Sequence, residues 1–113
     1  MLSIGSNYVV LADHTIPDPA ERERVMAFLS GGGHRIVKLR PEQLGEFAGN
    51  VLEIQGRERF VAMSTRAYKS LSDSQLDLIE MWAKAVHFPI PTIENIGGGS
   101  IRCMLAEIFL PRK

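Results

Sequence analysis

An α/β fold is predicted by two observations. Short apolar runs of strand length alternate with segments that carry helix start and stop signals. The strand–helix–strand pattern then occurs twice in succession, each unit about 40 residues long. A chain of 113 residues can bury one modest core, so a single domain over residues 1–113 is expected.

Met1 to Gly5 has the character of the end of a strand, and Tyr8 to Ala12 is a fully apolar run that predicts a buried one. A domain that begins in mid-sheet suggests a truncated chain or a strand supplied by a partner. Asp13 to Pro17 is a turn-rich connection. Asp18 then stands as N-cap, with Pro19 at the first helical position and Glu21 three residues on. Val25, Met26 and Leu29 form the apolar face of this helix, and Glu21, Arg22, Glu23 and Arg24 its solvated side. Gly31, Gly32 and Gly33 stop it, as a helix C-cap and turn. Ile36 to Leu39 is the next strand, and a strand–helix–strand unit favours parallel pairing.

Pro41 to Phe47 predicts a short helix or turn. Asn50–Ile54 and Arg59–Met63 read as a hairpin closed by Gln55-Gly56-Arg57-Glu58. Thr65 to Ser70 predicts a helical turn. A firmer helix follows from Ser72, which has capping-box spacing to Gln75. Its expected apolar stripe is Leu76, Ile79, Trp82, Ala83 and Val86, with Trp82 as a core anchor. Pro89 and Pro91 end that helix and bracket an extended segment, Phe88 to Ile93. Met104 to Leu110 predicts a last buried strand, interrupted only by Glu107.

Charge balance removes whole classes of function. With 13 basic and 13 acidic residues there is no electrostatic basis for binding nucleic acid or an anionic membrane. One cysteine excludes an internal disulfide, and His14, His34 and His87 lack metal-ligand spacing, so neither a metal nor another cofactor is expected. No signal-type or spanning apolar segment is read, which makes the cytoplasm the expected location. All three histidines read as surface residues.

The organising stretch is Ile93 to Leu110. Gly97, Gly98 and Gly99 offer close backbone approach and bare N–H groups. The only cysteine, Cys103, follows four residues after the last of them. On residue chemistry alone its thiol has two readings: a packed side chain, as free cysteines commonly are, or a nucleophile presented by the loop.

Gly49-Asn50-Val51-Leu52-Glu53, Met63-Ser64-Thr65-Arg66-Ala67-Tyr68, Pro91-Thr92-Ile93-Glu94 and Gly97-Gly98-Gly99-Ser100-Ile101-Arg102-Cys103-Met104 together resemble the C-terminal part of the amidinotransferase-like proteins. That guanidine-modifying (pentein) superfamily includes arginine deiminases, dimethylarginine dimethylaminohydrolases and citrulline-hydrolysing relatives. The resemblance spans essentially the whole chain. It implies a five-bladed α/β propeller of ββαβ modules, of which about two blades would lie here. It also implies Cys103 as the catalytic nucleophile on a guanidino or ureido carbon, the adduct then being hydrolysed by water or passed to an acceptor amine, with Gly97, Gly98, Gly99, Ser100 and Arg102 as substrate-binding positions.

The family's general-base histidine would precede Met1, so by the resemblance this chain carries the nucleophile without its base and is inactive alone. Glu53 and Glu94 lie beside the matching motifs, with contact to a cationic substrate or structural roles both open. The expected partners are a guanidino or ureido substrate and either a missing N-terminal portion or further copies of the chain. A non-catalytic domain that buries open strand edges in a homo-oligomer is the alternative of a different class. A thiol-sensing domain lacks a resolving cysteine.

Overall fold

The computed structural model describes residues 1–111. It is a mixed α/β structure with two three-stranded sheets. In the first, β1 (Leu2–Ile4) runs antiparallel to β2 (Tyr8–Leu11), and β2 runs parallel to β3 (Arg35–Lys38). The crossover from β2 to β3 is made by α1 (Pro19–Gly31). After α2 (Pro41–Gly45) the same plan returns. β4 (Leu52–Gln55) pairs antiparallel with β5 (Arg59–Ser64), and β5 pairs parallel with β6 (Lys84–Phe88) through α3 (Thr65–Ser70) and α4 (Asp73–Glu80). Each half is therefore a ββαβ unit, and the first strands of the two halves, β1 and β4, lie against one another.

The helix signals act where the sequence places them. The Asp18 carboxylate accepts from the Ala20 N–H at 2.9 Å, with Pro19 opening α1. Gly32 is its C-cap, and Gly33 takes the left-handed φ of 84° that a side chain would resist. Ser72 caps α4 reciprocally with Gln75.

Strand β2 is buried on both faces, which is why it is apolar without alternation. Val9 and Leu11 face α1, packing with Leu29, Val25, Met26 and Ile36. Tyr8 and Val10 face the other way, into a core that joins the two halves through Val37, Leu39, Val51, Val61, Met63 and Ile79. Gly5 makes the β1–β2 turn possible: a Cβ there would sit 2.6 Å from the ring of Tyr8 and 2.7 Å from a carboxylate oxygen of Glu53. The buried Tyr8 ring has nowhere to retreat. Gly5→Ala is expected to destabilise the protein by about 1–3 kcal/mol, read as a lower midpoint in urea with an unchanged slope.

Four expectations are corrected. The helix begun at Ser72 ends at Glu80, and the chain beyond it forms β6, so Val86 is a strand residue. Trp82 is 38% exposed and anchors nothing in the core. The parallel edge of β5 takes Lys84–Phe88 as its partner, and Val86, His87 and Phe88 suit a pleated strand better than a helix. The extended segment expected over Phe88 to Ile93 is not found: the paired strand ends at Phe88, and from Pro91 the chain turns helical. The last strand expected over Met104 to Leu110 does not form. Met104 closes a short 3₁₀ turn, and the residues after it adopt no regular structure, with Ile108, Phe109 and Leu110 about 80% exposed or more. An apolar run becomes a strand only where a sheet edge is there to pair with it, and none receives this one among the described residues.

Candidate active site

Proline and glycine shape the loop that ends the second unit. Pro89 and Pro91 close off β6 and start a π-type turn over Ile93–Gly97, opened by the Glu94 N–H donating to the Ile90 carbonyl at 3.1 Å. Gly98, at φ 66°, reverses the chain out of that turn. A 3₁₀ turn over Ile101–Met104 follows, begun by the Cys103 N–H donating to the Ser100 carbonyl at 3.1 Å. Ile101 is the inward anchor of this turn, against an apolar hollow of about 280 Å³ lined by Phe60, Ala62, Val86 and Phe88. With three residues per turn, burying Ile101 sends Arg102 and Cys103 outward.

The thiol of Cys103 is consequently exposed, so the packed-side-chain reading of its chemistry is set aside. Gly99 lies directly against it: a Cβ on Gly99 would meet both Cβ and Sγ of Cys103 at 3.3 Å. The sulfur accepts a hydrogen bond from Asn50 Nδ2 at 3.1 Å, and Asn50 Oδ1 accepts the Arg102 N–H at 3.0 Å. The Asn50 hydrogen bond holds the thiol below its ordinary pKa, the Ser100 backbone and the Arg102 charge lower it further, and partial burial opposes them.

The other expected site residues are distributed around this centre. Gly97 and Gly98 are exposed, and their part is to turn the chain. Ser100 is fully buried and donates its hydroxyl to Glu94 Oε1 at 2.8 Å, so Glu94 braces the loop from inside. The Arg102 guanidinium reaches back to β1, donating to the Leu2 carbonyl at 3.0 Å and to Ser3 Oγ at 3.3 Å. Glu53 serves the first turn, accepting from the N–H and hydroxyl of Ser6. Of the two carboxylates left open by the sequence, both have structural partners. A cleft of about 420 Å³ opens beside the first half of the loop, lined by Thr65, Arg66, Lys69, Glu94 and Asn95 with the intervening prolines, and Cys103 is not part of its lining.

None of the histidines is among the partners of the sulfur. His87 stacks on Tyr68 with ring centroids 4.2 Å apart and shares a hydrogen bond with Thr65 at 3.0 Å. His14 lies in a 3₁₀ turn after β2, and His34 follows the glycine stop of α1. Among the described residues no group of acidic, histidine and cysteine side chains is arranged to hold a metal ion, and no helix is long and apolar enough to cross a membrane.

Asn50 is the residue that sequence reasoning passed over. It stands in one of the matching motifs, but an asparagine before a strand reads locally as turn chemistry. Only the return of the chain 53 residues later shows its amide to be in contact with the thiol.

Comparison with known proteins agrees with the resemblance read from the motifs. No curated protein and no solved structure matches the chain. The model of the family described as N,N dimethylarginine dimethylhydrolase, eukaryotic, matches residues 1–110. An exposed sole cysteine on a glycine loop, on two ββαβ units, thus sits in a chain that belongs to this family of guanidino-group hydrolases.

Proposed function

We propose that this chain carries the nucleophile of a cysteine-dependent hydrolase acting on the guanidino or ureido group of an arginine-type substrate, dimethylated arginine first among them. The observation that carries the reading is the exposed Cys103 sulfur, its pKa lowered, beside the bare backbone of Gly99 in a chain of this family. The thiolate attacks the central guanidino carbon and a C–S bond forms. The substituted amine takes up a proton and leaves as the C–N bond breaks, giving a covalent thiouronium-type adduct. Water then attacks the same carbon, the C–S bond breaks, and a ureido product and the thiolate are released. From dimethylarginine the products are dimethylamine and citrulline. In this reading Gly99 and Arg102 flank the sulfur on the substrate side, while Gly97 and Gly98 turn the chain and the buried Ser100 braces it from inside.

Both proton transfers need a general base and acid. No histidine is among the hydrogen-bond partners of the sulfur, so this reading assigns the role to a histidine outside residues 1–111. The two ββαβ units would then be two blades of a five-bladed propeller. The exposed apolar side chains of Phe88, Ile108, Phe109 and Leu110 support this, being surface that further blades would cover.

The test is to assay the chain alone and mixed with a separately produced, histidine-bearing N-terminal portion of a family member. Dimethylarginine, arginine and citrulline serve as substrates. Turnover of at least one of them only in the mixture is the expected result. Equal turnover by the chain alone overturns the assignment of the base. Turnover that persists in the mixture with Cys103→Ser overturns the nucleophile.

A further inference from the structure

We infer that Asn50 is a positioning residue for this chemistry: its side-chain amide clamps the loop and holds the Cys103 sulfur as a hydrogen-bond acceptor, the role of a thiolate. The inference rests on the reading of Cys103 as the nucleophile. The orientation of the amide follows from its neighbours. The Arg102 backbone N–H can only donate, so it must face Asn50 Oδ1, at 3.0 Å. That leaves Nδ2, a donor, facing Sγ at 3.1 Å. A thiolate is a much better acceptor than a thiol, so this hydrogen bond favours the ionised form and discriminates against the protonated one. One amide therefore fixes two successive loop residues and selects a charge state.

The rest of the surroundings leave this role to Asn50. The charged side chain acting on the sulfur is Arg102, whose guanidinium is drawn toward β1 by the Leu2 carbonyl and the Ser3 hydroxyl. From β5 and β6 the turn receives Phe60, Ala62, Val86 and Phe88, none of them titratable. Ser100 contributes its backbone, and its hydroxyl is committed to Glu94. Asn50 itself is held by the start of β4: Val51, its neighbour, accepts a hydrogen bond from the Ser3 hydroxyl, which ties β1, β4 and the loop into one connected set.

Because the chain has one cysteine, the pH dependence of alkylation by iodoacetamide, or of thiolate absorbance, reports Cys103 alone. Asn50→Ala removes both hydrogen bonds. Its alkylation at pH 7 is expected to be about tenfold slower than in the parent chain, as for the loss of a hydrogen bond to a charged group, with the midpoint of the pH profile moved up. Asn50→Asp is the discriminating variant. It keeps an acceptor for the Arg102 N–H but turns an anionic oxygen toward the sulfur, so its midpoint should lie above that of Asn50→Ala. Circular dichroism and the unfolding midpoint establish that each variant is folded.

A profile for Asn50→Asp at or below that of Asn50→Ala overturns the inference, as does an unmoved profile in both. If Asn50→Ala fails to fold, the parent and Asn50→Asp still decide it by the sign of their difference. The measurement needs no turnover, so it stands apart from the reading beneath it. Inactivity of the reconstituted protein with a normally ordered alkylation series would count against the nucleophile and leave the clamp in place.

Discussion

Cys103→Ser is expected to remove covalent capture of the substrate carbon and to lower hydrolysis by the reconstituted protein at least about a thousandfold. The serine hydroxyl is about the same size but stays protonated at neutral pH, and no neighbour in the described residues is placed to deprotonate it. Stability should scarcely change. The side chain is exposed, and surface substitutions of this kind stay within about 0.5 kcal/mol. The pair of measurements is citrulline release from dimethylarginine and the thermal midpoint. Lost activity with an unchanged midpoint supports chemistry at the sulfur. Comparable loss of both would mean that the residue serves the fold, and retained activity would place the nucleophile elsewhere.

A second large effect is expected far from the thiol. Gln43, in the short helix α2, is 1% exposed and is the polar hub between the two halves. Its Oε1 accepts the Arg40 N–H at 2.9 Å, and its Nε2 donates to the Ser70 carbonyl at 2.7 Å. It also pairs amide to amide with Gln75, whose own Nε2 donates to the Lys38 carbonyl at 2.7 Å. The end of β3, the start of α2 and the α3–α4 junction thus share one network. Gln43→Leu has nearly the same volume but leaves the Arg40 N–H and the Ser70 carbonyl without partners. Each buried, unsatisfied group costs about 1–3 kcal/mol, so the total should be about 3 kcal/mol. The thermal midpoint should fall by on the order of 10 °C. Gln55→Leu is the control, since Gln55 is exposed, and it should change stability by less than about 0.5 kcal/mol. Equal effects for the two would show that the buried network adds nothing to stability.

The local signals were legible wherever a few neighbouring residues decide the outcome. Asp18 with Pro19, the Ser72–Gln75 pair and the three-glycine stop after α1 each act within one helical turn, and each is found in place. The hairpin of β4 and β5 and the parallel pairing across α1 followed from apolar run lengths and chain reversal. Misreadings arose where an apolar run could serve two structures. Ala83 to Val86 continues the helical stripe of α4 and also alternates as a strand, and the open edge of β5 settled the choice. Leu105 to Leu110 has strand composition but pairs with no strand of either sheet.

By itself the sequence determined the α/β class, the repeated strand–helix–strand plan up to the glycine loop, and the family, because periodicity, capping and the glycine–cysteine motif are written in adjacent residues. The tertiary structure decided which polar groups meet. Asn50 reaches Cys103 across 53 positions and Gln43 reaches Gln75 across 32. Such hydrogen bonds depend on distance and angle after the two sheets have packed, and no periodicity along the chain encodes them.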